Sequence, residues 1–184
     1  SIGFCSSCDY ASNLEKAEAK TLEVKTDSAP LNDLKEVSTP GKKSIEEVSQ
    51  FLKVSSKKII KTILFETEDG LIVALVRGDR EINQIKLKNL VECTSLNFAS
   101  KELVTKVTAL PFGYLGPVGM KLKIYADKEV SSMTNIITGA NKLDTHLTGV
   151  DYQRDLNIEK VGDIRNINED DDCPKCNSGQ YKIK

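Results

Sequence analysis

The sequence predicts an α+β domain built on a mixed, largely antiparallel sheet, curved or barrel-like, with helices packed against it. Within Ile59 to Asn83, reading IIKTILFETEDGLIVALVRGDREIN, two apolar runs are joined by hairpin chemistry at Glu66, Asp69 and Gly70. Three helix starts carry capping residues: Ser44, paired with Glu47 in a capping box, Asn83 and Ser100. Strands and helices are then mixed without the regular βαβ alternation that would indicate a parallel sheet.

The hairpin contains the one residue that breaks its pattern. A strand over Ile59 to Phe65 has a period of two, so Lys61 shares a face with Ile59, Ile63 and Phe65, opposite Ile60, Thr62 and Leu64. Two readings follow for its ammonium: an edge-strand guard reaching toward water, or a cation at the mouth of a pocket. The next run, Leu71 to Val76, is apolar at every position, as expected of a strand covered on both faces near the middle of a sheet.

At 184 residues the chain is long enough for one domain with a real core, and no run approaches a membrane span. A net charge of −1 argues against a broad nucleic-acid surface, so any nucleic-acid contact is expected to be local. The chain starts at Ser1 and both ends break off beside cysteine pairs, so a piece excised from a larger cytoplasmic protein is expected. Those pairs are Cys5-x-x-Cys8 and Cys173-x-x-Cys176, with Cys93 standing apart. Four thiolates on two knuckles suit a tetrahedral zinc, although the sequence gap is far longer than usual. Reduced free thiols or a disulfide are the duller alternatives.

Three regions are expected: residues 1–36 with the first cysteine pair and an approach segment, 37–168 as the main domain, and 169–184 with an acidic run and the second pair. From Asn13 to Lys35 the chain is charged and small, with LEKAEAK a short helix or linker and Ala29-Pro30 a break. Thr39-Pro40-Gly41 is a turn, and the helix after Ser44 carries Ile45, Val48, Phe51 and Leu52 on one stripe. Arg77-Gly78-Asp79 is another turn; short helices follow Asn83 and cover Lys101 to Thr108. The loop Pro111 to Gly119, PFGYLGPVG, has three glycines and two prolines in nine residues, so its backbone can expose N–H groups to a ligand. Beyond it lie a strand over Lys121 to Ala126, a short helix over Asp127 to Met133, a strand over Asn135 to Thr138, and a last strand opened by His146 and running through Val150.

The ordered set IKTILF, LVRGDREIN, GYLGPVG, YADKEV and GANKLDTHLTGV, followed by Arg154-Asp155 and Asp163-Ile164-Arg165 between the cysteine pairs, resembles the editing insertion of bacterial-type prolyl-tRNA synthetases. It is similar also to the free-standing YbaK-type deacylases; the flanking cysteine pairs favour the insertion. The resemblance spans the chain from the first pair to the second. It implies a YbaK-like fold and a hydrolase that removes alanine mistakenly attached to proline tRNA. Such a pocket is the second half of a double sieve, since a synthetic site shaped for proline cannot exclude a smaller amino acid by binding alone. The implied partners are the alanine-bearing acceptor end of tRNA(Pro) and the rest of the synthetase, a homodimer that uses ATP at a site outside this chain. No membrane is involved, and editing itself should need no cofactor beyond a structural zinc at Cys5, Cys8, Cys173 and Cys176.

The resemblance also implies site residues. Lys61 would be important for hydrolysis, by contact with the terminal adenosine or its phosphate. The family's G-x-x-x-P loop maps onto Gly113 and Pro117, with Gly116 in the same hydrolytic set. His146, with Leu115, Gly139, Ala140 and Asn141, would line the amino-acid pocket and select alanine. The residues agree on one negative point: a single histidine without a G-x-S-x-G elbow offers no nucleophile constellation. Backbone donors aimed at the ester oxyanion, an ordered water and the substrate's own ribose hydroxyl can suffice for an activated ester. Two other classes fit the same residues: a free-standing trans-editing deacylase, and a non-catalytic zinc-ribbon module that docks tRNA or a partner protein.

Overall fold

The structure, a computed structural model, describes residues 1–20 and 30–184. Its centre is a mixed five-stranded sheet. The hairpin β4 (Ile60–Thr67) and β5 (Gly70–Arg77) pairs antiparallel along its whole length, with Gly70 at φ +119° taking the turn. β7 (Lys123–Asp127) lies parallel to β5, and β10 (Lys160–Gly162) lies parallel to β7. β6 (Leu96–Phe98) closes the other edge against the end of β4, giving the order β10-β7-β5-β4-β6. A second, antiparallel sheet joins β3 (Lys35–Ser38), β9 (Thr145–Val150) and β8 (Ile136–Gly139). A third ties the chain's two ends together, β1 (Ile2–Cys5) running between β2 (Ala11–Asn13) and β11 (Tyr181–Ile183).

The uniformly apolar β5 is central, as its sequence requires. Val73 and Leu75 pack with Ile60, Leu64, Ile124 and Leu147 on one face; Ile72, Ala74 and Val76 pack with Phe65, Leu87 and Ile164 on the other. Each large side chain so buried contributes about 1.5–3 kcal/mol. The predicted caps form. Ser44 and Glu47 make the reciprocal capping box of α1 (Ile45–Leu52), Asn83 caps α2 (Gln84–Val91) and Ser100 caps α3 (Lys101–Thr108). A single turn, α4 (Tyr152–Asp155), follows β9.

Three elements differ from expectation, each for a local reason. The helix expected over 127–133 shrinks to a 3₁₀ turn, Val130–Ser132, because Asp127 Oδ1 accepts the Glu129 N–H and closes an Asx turn first. The strand expected from Lys121 begins at Lys123, because the glycine-rich loop is still turning at Met120, whose N–H donates to the Pro117 carbonyl. LEKAEAK forms no helix: Ala17 is fully buried against Ile167 and Tyr181, and Ala19 donates its N–H to Asp163. Residues 21–29 of that approach segment, with Ala29 of the expected break, lie outside the described residues.

Candidate functional site

The sheet leaves one edge of β4 partly unpaired, and a cavity opens there. β5 covers β4 throughout, whereas β6 reaches only Phe65 to Thr67. In antiparallel pairing, successive residues send their main-chain groups to opposite sides. The Ile59 carbonyl accepts from Gly78 on the β5 side, and the Leu64 carbonyl accepts from Ala99 on the other. By that parity the N–H and C=O of Thr62 face the open edge. The cavity beside it measures about 400 Å³ and is walled by apolar groups of α1, β4, the end of β6 and the loop after α3, among them Ile45, Val48, Phe98 and Phe112. The hydroxyl of Thr62 is buried without a protein partner among the described residues.

Of the residues singled out from sequence, Lys61, Gly113, Leu115, Gly139 and His146 line this cavity together. Lys61 has its side chain mostly covered, and its ammonium is held by the Arg80 carbonyl at 2.8 Å and by the exposed Glu81 carboxylate. The pocket-mouth reading anticipates that the lysine borders the cavity; what neither reading anticipates is its anchoring to the turn after β5.

His146 is 5 % exposed and lies on β9 opposite Val37 of β3. Two residues beyond Val37, fully buried Thr39 brings its hydroxyl within 2.6 Å of His146 Nδ1. Tyr114 meets the imidazole edge-on, with ring centroids 5.9 Å apart. Burial holds the His146 pKa below its ordinary value, so the imidazole is kept neutral. The histidine thus has an orienting partner, but a distant one in sequence. Asp144, only two residues from His146 in sequence, turns away: it accepts the Tyr114 hydroxyl at 2.6 Å and the Gly41 N–H at 2.8 Å. The carboxylate pushes the Tyr114 phenol up to about 12, while the phenol and the Gly41 N–H draw the Asp144 pKa down.

Gly116, Pro117, Ala140 and Asn141 do not line the cavity; they build its frame. Asn141, at φ +57°, accepts the Gly116 N–H at 2.8 Å and donates to the Gly116 and Val118 carbonyls. The Gly116 N–H is therefore already engaged and is not a free oxyanion donor. A Cβ on Gly116 would stand 1.8 Å from the Gly139 carbonyl, and one on Gly139 would stand 2.3 Å from the Leu115 carbonyl. The loop and the β8 end thus pack backbone to backbone, which only glycine allows. Gly113, at φ +98°, lies beside the Lys43 stem, which an added Cβ would meet at 3.1 Å, and both line the cavity. Ala140 packs against the main core.

The sequence missed Thr39 and Tyr114, since Thr39 sits in a turn tripeptide and Tyr114 between glycines; no periodicity announces burial there. The four cysteines, none of which lines the cavity, gather their sulfurs within 4.8 Å of one another.

Residues 39–155 match the family model of the aminoacyl-tRNA editing domain. A proline-tRNA ligase of Geotalea daltonii is 49 % identical over 179 residues, 97 % of this chain and 31 % of that protein. One of Caldicellulosiruptor bescii is 43 % identical over 183 residues, 100 % of this chain and 32 % of that protein. The chain therefore spans about a third of the length of these relatives. Among solved structures, a candidate trans-editing enzyme for prolyl tRNA synthetase superposes with a TM-score of 0.63 at 21 % identity, over 72 % of this chain and 87 % of that one, which shows the shared fold.

Proposed function

Since the chain belongs to the aminoacyl-tRNA editing domain family, we propose that it is the post-transfer editing domain of a cytoplasmic, homodimeric proline-tRNA ligase and hydrolyses the ester of alanine mischarged on tRNA(Pro). Residues 37–168 would form the hydrolytic unit, and the ATP-dependent synthetic site would lie elsewhere in the parent enzyme. The observation that carries the reading is the cavity on the open β4 edge, mostly apolar, about 400 Å³, and lined also by Lys43, Lys61 and the neutral imidazole of His146.

In this reading the aminoacyl group enters between Gly113 and His146 while the terminal adenosine stays near Lys61. The exposed Glu81 yields its half of the lysine contact to a substrate phosphate or ribose, and the Arg80 carbonyl keeps the ammonium in place. The Thr62 main-chain N–H on the open edge is suited to the carbonyl oxygen as it gains charge. Water, aligned by the substrate's neighbouring ribose hydroxyl, adds to the carbonyl carbon; the ester C–O bond breaks, and the 3′-terminal oxygen leaves with a proton. His146 acts as a wall rather than as the base, because Thr39 occupies Nδ1 and burial resists protonation. The step uses no cofactor, and the four cysteines are a structural metal site. The test compares alanyl-tRNA(Pro) with prolyl-tRNA(Pro): this chain and its parent enzyme should release alanine selectively, and no release above the spontaneous rate from either would defeat the reading.

A further inference from the structure

We propose that the four cysteines form a zinc clasp whose closed hairpin, through Asp171 and Arg80, positions Lys61, so that metal loading sets the state of the lysine at the cavity. The effect on hydrolysis rests on the editing reading; the effect on the lysine itself does not.

The clasp follows from its geometry. Four sulfurs about 2.3 Å from one zinc stand about 3.8 Å apart at the vertices of a tetrahedron. Cys5 and Cys176 are 3.6 Å apart, and Cys8 and Cys173 are 3.8 Å apart. The two knuckles also repeat one local bond: Ser7 N–H donates to Cys5 Sγ at 3.3 Å, and Lys175 N–H donates to Cys173 Sγ at 3.4 Å. Paired N–H donors of this kind stabilise thiolates and orient them as ligands. Gly179 lets the chain approach the sulfurs, since a Cβ there would stand 2.1 Å from Cys5 Sγ. Packing four thiolates without a cation leaves their mutual repulsion uncompensated, and a soft tetrahedral set suits zinc.

From the clasp a continuous chain of contacts runs to the cavity. Cys173 N–H donates to the Gly179 carbonyl, and Tyr181 N–H donates to the Asp171 carbonyl at 2.7 Å, so the clasped hairpin fixes Asp171. Its carboxylate accepts from Arg80 Nη1 at 2.9 Å and from Arg165 Nη1 at 2.6 Å. The remaining guanidinium edge of Arg80 forks onto buried Glu129 at 3.0 and 3.1 Å. Held at both edges, Arg80 presents the carbonyl that accepts Lys61 Nζ at 2.8 Å. Asp171 and Arg80 are thus positioning residues: they touch Lys61 or its anchor and not the cavity.

The test uses the whole chain under reducing conditions. Elemental analysis should find one zinc per chain, and cobalt replacement should give thiolate-to-cobalt charge-transfer and tetrahedral d–d bands that vanish in the Cys173→Ser, Cys176→Ser variant. The ¹³Cε NMR signal of Lys61, assigned by its loss in Lys61→Arg, should shift on metal removal and return on reloading. Asp171→Asn should shift it likewise while keeping the cobalt spectrum. Weakening one charge-assisted contact should slow alanyl-tRNA(Pro) hydrolysis about tenfold. The loss should add nothing in a Lys61→Ala background and should be partly restored by Asp171→Glu. A chain without zinc, an iron-only load, or a Lys61 signal indifferent to both metal and Asp171→Asn overturns the proposal. Absence of hydrolysis with a metal-sensitive Lys61 signal overturns the editing reading and leaves the clasp and its positioning role supported.

Discussion

Thr39 Oγ1 and His146 Nδ1 lie 2.6 Å apart across 107 residues of sequence, both buried, and this contact fixes the plane of the chain's only histidine. It depends on β3 pairing with β9, which sets Val37 opposite His146 and delivers Thr39 just past the strand end.

Thr39→Val keeps the shape of the side chain and removes the hydroxyl. The imidazole nitrogen is then buried without a partner, at a cost of about 1–3 kcal/mol in unfolding free energy. Thr39→Ser should retain most of that stability. Urea unfolding of the two variants measures the difference, and equal stabilities would mean the hydroxyl contributes nothing.

Stability should also depend on pH through His146. Its folded pKa lies below the ordinary 6.5, so above 6.5 both folded and unfolded chains are neutral there and the contribution is complete. As pH falls below that value the unfolded chain takes up the proton first, and stability is lost until the folded pKa is also passed. Between about pH 7.5 and about pH 5.5 the natural chain should lose more stability than His146→Gln, measured by denaturant unfolding. Parallel losses would place the titration elsewhere.

Gly116→Ala and Gly139→Ala should each destabilise the domain by about 3 kcal/mol, the upper end of overpacking costs, because the added carbon meets backbone rather than a movable side chain. Hydrolysis should fall with them, since the loop that borders the cavity must withdraw. Thermal melts unchanged from the natural chain would show that the loop accommodates the carbon freely.

Much of the fold is legible in the residues: the capped helices, the hairpin and the burial of β5 follow from short-range pattern and turn chemistry. The sheet's parallel strands are less so, because β7 and β10 are short and their register depends on packing across the core. Within the site, Lys61 and His146 are visible as a charge in an apolar strand and as a lone imidazole. The partners that define them, Arg80 and Thr39, are not, since each acts through a contact that only the tertiary fold creates. Asn141 and Gly116 carry the same lesson: their residue types mark a turn, while their roles come from a backbone clamp between distant segments.

If His146 sets pocket size, His146→Ala should weaken discrimination between alanyl- and prolyl-tRNA(Pro) by about 10 to 200-fold, the scale of a small change in pocket volume. Rates for both substrates decide it. An equal loss for both, at constant ratio, would instead assign the imidazole a part in the hydrolytic step.

The most direct measurement of the central claim, that the β4-edge cavity is the deacylation site, is single-turnover hydrolysis of alanyl-tRNA(Pro) by the natural chain and by Lys61→Ala, with melting curves for both. The claim predicts a loss on the order of 10²-fold with an unchanged melt. Equal rates in the two proteins would contradict it.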